Sequence, residues 1–174
     1  MPVNTLKELL RLRLGEMYNG EQEMLQLVDA VETETQSRLL RDRLRSHRDE
    51  ARRHIAALEK SFELLGTDPP LSTSPALHGI CEERRSFMRE SPGIVAREAY
   101  HVDILSRTSA YKTASYQGLV DLARDIGQND LRSLLDRCYK EESAVALWLR
   151  DHRSAVVSEV RPPAPERAIA APPA

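Results

Sequence analysis

The chain is 174 residues long, 41% apolar and 30% charged, with aromatic residues at only 5%, a mix that describes one helical domain and excludes a sheet protein. Its 25 basic residues against 27 acidic ones leave a formal charge of −2, without the basic excess of a nucleic-acid binder. Cys81 and Cys138 are too few for a disulfide scaffold, no run approaches the roughly 18 apolar residues of a membrane span, and Lys7 and Glu8 stand where a secretion signal needs an apolar core, so reduced thiols and a cytoplasmic location are expected.

Proline and glycine punctuate the chain because both are costly inside helices. No proline occurs from Val3 to Asp68 or from Gly93 to Arg161, whereas Pro69, Pro70, Pro75 and Pro92 cluster between those blocks and others follow Arg161. In chain order the pattern predicts a first helix near 4–32, a polar break from Thr33 to Ser37, and a second helix near 36–65. A connector from Gly66 to Pro92, with a short extra helix from Leu77 to Met88, is long enough to cross from one end of a bundle to the other. A third long helix near 95–126 ends at Gly127, and Gln128-Asn129-Asp130 starts a fourth near 130–156. The expected domain is an all-α four-helix bundle over residues 1–157. Residues 158–174, rich in proline and alanine and lacking an apolar period, are expected to be a disordered tail.

Steps of three and four residues keep side chains on one buried stripe. They give Leu10, Leu14, Met17, Glu21, Met24, Val28 and Val31 on the first helix. On the second they give Leu40, Leu44, His47, Ala51, His54, Leu58, Ser61 and Leu65, with Glu50 flanking between the histidines. The third reads Glu98, Val102, Leu105, Ser109, Lys112, Tyr116, Leu119, Ala123 and Ile126; the fourth reads Leu131, Leu135, Cys138, Glu142, Val145, Leu149, His152 and Val156. The polar intruders Glu21, Glu50 with His47 and His54, Ser109 with Lys112, and Glu142 all fall near mid-helix. Antiparallel hairpins bring the four centres to one level, so one buried polar layer is expected, which must be paired or bound to a cation because buried ions are expensive. Helical bundles build iron and manganese sites at such layers, from inward-pointing Glu and Glu-x-x-His.

These residues resemble the YciE/YciF-like ferritin-like stress proteins of bacteria. The likeness runs through Tyr18-Asn-Gly-Glu21-Gln, His47-Arg-Asp-Glu50 leading to His54-Ile, Cys81, Tyr111-Lys-Thr-Ala-Ser-Tyr116, Leu122-Ala-Arg-Asp-Ile-Gly127 and Glu141-Glu142, and covers nearly all of the chain except the tail. It implies a ferritin-like four-helix bundle with a long crossover connection carrying a short extra helix, often dimeric, with a di-iron centre in some form and a role in stress physiology. The departures fall on the third helix, where a Val-Glu-His-Tyr-Glu pattern is replaced by Thr108-Ser109-Ala110-Tyr111-Lys112, and on the fourth, where Ala146 stands for an Asp.

Two readings of the layer follow. In the preferred one Lys112 replaces a metal charge: it pairs with Glu21 or Glu142, Glu50 bonds His47 or His54, and the layer fixes helix register without a cofactor or catalysis. In the alternative, one iron or manganese is held by Glu21, Glu50, His54 and Glu142, with His47 behind them and Lys112 turned away, leaving room for oxidase or iron-handling chemistry. Glu98-Ala-Tyr-His101 has Glu-x-x-His spacing but lies about three turns from the centre, and reads as a helix-start carboxylate and a surface histidine. Cys138 reads as a core residue and Cys81 as half-exposed. Tyr18, Tyr111 and Tyr116 read as packing residues able to donate to the layer, and Trp148 as a packing or interface anchor. The arginines of the second helix, Arg41, Arg43, Arg45, Arg48, Arg52 and Arg53, are interleaved with acids and read as a solvated face, not a nucleic-acid patch. A homodimer through exposed helix faces is expected; the tail as a docking segment for an unidentified partner is a weaker possibility resting on composition alone.

Overall fold

The computed structural model describes residues 3–69 and 73–162. It contains α1 (Leu6–Glu34), α2 (Arg38–Leu65), α3 (Pro75–Arg89), α4 (Ile94–Asp125) and α5 (Asn129–Glu159), and no strand among the described residues. The helix starts are chemically encoded. Thr5 and Glu8 form a capping box, in which the Thr5 hydroxyl accepts the Glu8 amide while the Glu8 carboxylate accepts the Thr5 amide. Ser37 accepts the Leu40 amide at the start of α2. Gly66 and Gly127, both at positive φ, turn the chain out of α2 and α4. α5 runs two residues past the expected boundary at 157; the expected tail lies mostly outside the described residues.

α1 packs on α2 and on α4, α2 packs on α5, and α4 packs on α5, which closes a four-helix ring; α3 lies across α1 and α4. The connector does cross the length of the bundle. Arg11, near the start of α1, donates to Thr67 just after α2, while Glu98, near the start of α4, meets Thr35 and Gln36 just after α1. α3 seats against α1 where Gly20 makes room: a β-carbon there would come within 2.4 Å of Leu77.

Every apolar seam residue on α1, α4 and α5 named from periodicity is buried except Ile126, and on α2 only Leu65 is less than fully covered. The apolar core falls into two clusters. One gathers Met24, Val28, Leu44, Leu105, Val145 and Leu149; the other gathers Leu14, Met17, Leu58, Phe62, Leu119 and Leu135.

Two expectations need correction. The arginines of α2 are not simply solvated, because Arg45 and Arg48 pair with Glu32 and Asp29 of α1, and Arg43 is largely covered. His101 is not on the surface: it and Glu98 are fully buried, since α3 covers this stretch of α4. Glu98 accepts from the Thr35 hydroxyl at 2.5 Å and the Gln36 amide at 2.7 Å, tying the α1–α2 turn to α4. Glu34 receives Arg84 of α3 at 2.5 Å and lies 3.3 Å from His101; burial lowers the His101 pKa. Because a charged acceptor satisfies two groups of a covered turn, Glu98→Ala is expected to lower stability by about 2–3 kcal/mol in urea denaturation. A change below about 0.5 kcal/mol, the level of an ordinary surface substitution, would show that the turn holds without it.

Candidate functional site

The four long helices deliver their polar intruders, Glu50 excepted, to one level, as the spacing requires. Lys112 of α4 is fully buried and points inward, with Nζ 2.9 Å from Glu21 Oε2 of α1 and 2.7 Å from Glu142 Oε2 of α5. Its stem does not turn away toward solvent, so that element of the metal-bound alternative does not describe this structure. α2 contributes both histidines. His54 Nδ1 is 3.3 Å from Glu21 Oε1 and 4.0 Å from Glu142 Oε2, while His47 Nε2 is 3.7 Å from Glu142 Oε2. The Tyr116 hydroxyl donates to Glu21 Oε1 at 2.6 Å, and the His54 and Tyr116 rings pack edge to face with their centroids 5.4 Å apart. Ser109, one turn before Lys112, is also fully buried, and its hydroxyl has no hydrogen-bond partner among the described residues.

Glu50 does not join this layer. It is partly exposed and takes Arg43 at 3.0 Å on its own helix. Its place beside His54 is taken by Glu141, whose Oε2 lies 3.3 Å from His54 Nε2 and accepts from Arg53 at 3.1 Å. A residue flanking the seam stands about 100° round the helix from its neighbour, enough to direct Glu50 toward a local arginine and out of the core. Glu141 carries a contact that periodicity alone does not assign. Tyr116 is a seam residue with a polar tip and donates to the layer as its position allows; nothing in the sequence marks Glu141 over Glu142.

The electrostatics of the layer are set by competition between burial and charge. Burial opposes the Lys112 ammonium, but Glu142 and Glu21 outweigh it and hold its pKa above the ordinary lysine value. Burial likewise opposes both carboxylates, yet Lys112, followed by His47, holds Glu142 well below the usual carboxylate range; Lys112, followed by His54, lowers Glu21. Burial and the adjacent Glu21 charge push the Tyr116 phenol far up, so it stays a donor. Cys138, a core residue as expected, is pushed up to about 12 by burial and is unreactive as a thiolate. Cys81 is more covered than expected.

Chemically, the layer is two carboxylates with an ammonium between them, two imidazoles and a phenol donor. Glu21, His54 and Glu142 do offer ligand atoms within 4.8 Å of one another. A two-metal centre asks for about four carboxylates with histidines; here two buried carboxylates remain, and an ammonium stands in salt-bridge contact with both. The residues present do not fit that centre.

Comparison with known proteins places this architecture. A family described as a domain of unknown function, DUF892, matches residues 5–160. The chain is 21% identical over 155 residues to protein YciF of Escherichia coli strain K12, covering 87% of this chain and 92% of that protein. The crystal structure of YciF, described as an E. coli stress protein, superposes with a TM-score of 0.84 at 20% identity, over 90% of this chain and 99% of that one. YcfI of Rhodopseudomonas palustris does so with a TM-score of 0.82 at 26% identity, over 85% and 94%.

Proposed function

The chain belongs to the DUF892 family, a YciE/YciF-like group with a ferritin-like helical bundle, and from that premise we infer that it is a stress-associated bundle protein whose central site works without a metal, in a structural or interaction role. The observation that carries this reading is the buried Lys112 ammonium in contact with both Glu21 and Glu142. A metal ion would have to displace a charge already satisfied by two acids, and would feel its repulsion at a few ångströms. The layer holds four helices in register through a connected set of polar contacts.

The reading includes a cytoplasmic location, supported by two unpaired cysteines and by the absence, among the described residues, of a helix long and apolar enough to cross a membrane. It also includes pairing of two copies, supported by the shallow groove on the outer face of α4 and α5, whose lining includes Ala110, Ala114, Ala146 and the exposed Leu147.

A second reading keeps one iron or manganese ion on Glu21, His54 and Glu142, favoured by the convergence of those three donors. Elemental analysis of protein purified without chelator separates the two. The first expects no stoichiometric iron or manganese. Iron or manganese near one equivalent that disappears in Glu142→Gln would establish the second.

A further inference from the structure

Outside the central layer, α2 and α5 leave a cleft of about 420 Å³ between them, in the lower part of the roughly 300–1,000 Å³ that small-molecule sites occupy. Its lining residues follow one another on each helix at steps of three and four, the spacing that keeps side chains on one face. At the middle of the α2 row stand Ala56 and Ala57, which present only methyl groups; with Leu134 and the buried Cys138 of α5 they make an apolar floor. The deepest polar group the cleft reaches is the imidazole of His54, which is 1% exposed and whose Nε2 accepts or donates no hydrogen bond among the described residues. The charges at the mouth do not cancel. Arg53 pairs with Glu141 at 3.1 Å and Lys60 with Glu63 at 2.7 Å, whereas Arg137 is exposed and forms no ion pair or hydrogen bond among the described residues. One cation is therefore left without a partner beside an apolar floor.

We propose that this cleft binds a small monoanion with an apolar body, of the class of medium-chain carboxylates, its carboxylate on the Arg137 guanidinium and its chain along Ala56, Ala57 and Leu134. A guanidinium fork matches the two oxygens of a carboxylate, and one unpaired cation balances one negative charge. A phosphate dianion would leave a charge unmet and would set a polar body against methyl groups. The floor lies between Arg53 and Lys60, which stand about 10 Å apart along the axis of α2, and this span sets the length of chain that the cleft can cover. Covering it removes apolar surface from water, while the carboxylate stays at the exposed rim and no charge is buried. Neither Lys112 nor its two carboxylate partners take part.

Titrating the full-length protein with octanoate by calorimetry, while the alanine methyl groups are followed by NMR, tests this. The expected result is one equivalent bound with shifts at Ala56 and Ala57. Binding should be at least about tenfold weaker for 1-octanol, which lacks the charge, and for acetate, which lacks the chain. Arg137→Glu removes the counter-charge and Ala56→Leu fills the floor; both positions are exposed, so the fold does not depend on either. Each is expected to weaken octanoate at least about tenfold. No saturable octanoate binding, octanol or acetate bound as tightly, or an affinity unmoved in Arg137→Glu or in Ala56→Leu would overturn the proposal. Shifts centred on Ala110 and Ala114, in the groove between α4 and α5, would put the ligand there and would overturn it equally.

Discussion

Lys112→Met is expected to lower stability by about 3–5 kcal/mol at neutral pH, because removing one partner of a buried ion set leaves the other charges without compensation. Methionine keeps most of the length and bulk of the lysine stem, so the loss is electrostatic and not a cavity effect. For a domain of this size each kcal/mol moves the thermal midpoint by about 2–4 °C, which puts the drop on the order of 10 °C. The pH response should also change sign. In the parent protein Glu21 and Glu142 have depressed pKa values, so their contribution is present above the ordinary carboxyl pKa and is lost as pH falls through the folded values. Lys112 has a raised pKa; its contribution is complete below the ordinary lysine value and lost only as pH rises through the folded one. Stability therefore falls on acidification. In Lys112→Met two buried carboxylates face one another, their pKa values rise, and mild acid stabilises the protein by neutralising one of them. Manganese(II) should stabilise the variant, by about 2.7 kcal/mol at a hundredfold excess over its Kd, and leave the parent unmoved. Urea denaturation at two pH values, with and without manganese, reads all of this. A loss below about 1 kcal/mol would mean that the ammonium is not the counter-charge of the layer.

The second large effect is a recovery. Replacing the whole charged set together with the imidazole that faces Glu142, with Glu21→Leu, His47→Leu, Lys112→Met, Tyr116→Phe and Glu142→Leu combined, is expected to match or exceed the parent by up to about 1–4 kcal/mol, because apolar residues of similar volume avoid the desolvation of three ions and leave no imidazole facing a lost carboxylate. The phenylalanine is included because Tyr116 donates to Glu21 and would otherwise be left as an unsatisfied buried hydroxyl. The combined variant should thus stand several kcal/mol above Lys112→Met alone, lose most of the acid sensitivity of the parent, and ignore manganese. The layer divides the apolar core into two clusters, so a single continuous core would form in its place. If register is what the polar contacts supply, the variant will show poorer amide dispersion in NMR despite its higher midpoint. A combined variant as unstable as Lys112→Met would show that the layer stabilises the bundle by something other than balanced charge.

Much of this molecule was legible before any coordinates. Helix periodicity fixes the angle of each side chain about its own axis, which is why the stripes containing Glu21, His54, Lys112 and Glu142 were correct and why an ammonium among acids could be expected at the middle of the bundle. Punctuation by Gly66, Pro92 and Gly127, with the polar break from Thr33 to Ser37, set the helix ends to within a few residues. What periodicity does not carry is which neighbour a flanking residue meets or what lies over an outward-looking face. Glu50 stood beside the stripe, and only the packed arrangement decided that Arg43 would take it and that Glu141 would reach His54. Glu98 and His101 looked like the ordinary start of a helix until α3 and the α1–α2 turn closed over them. The contacts of Glu141 with His54, Glu98 with Thr35 and His101 with Glu34 join residues more than sixty positions apart, and their partners are selected by the docking of whole helices, a property of the assembled bundle that no local pattern contains.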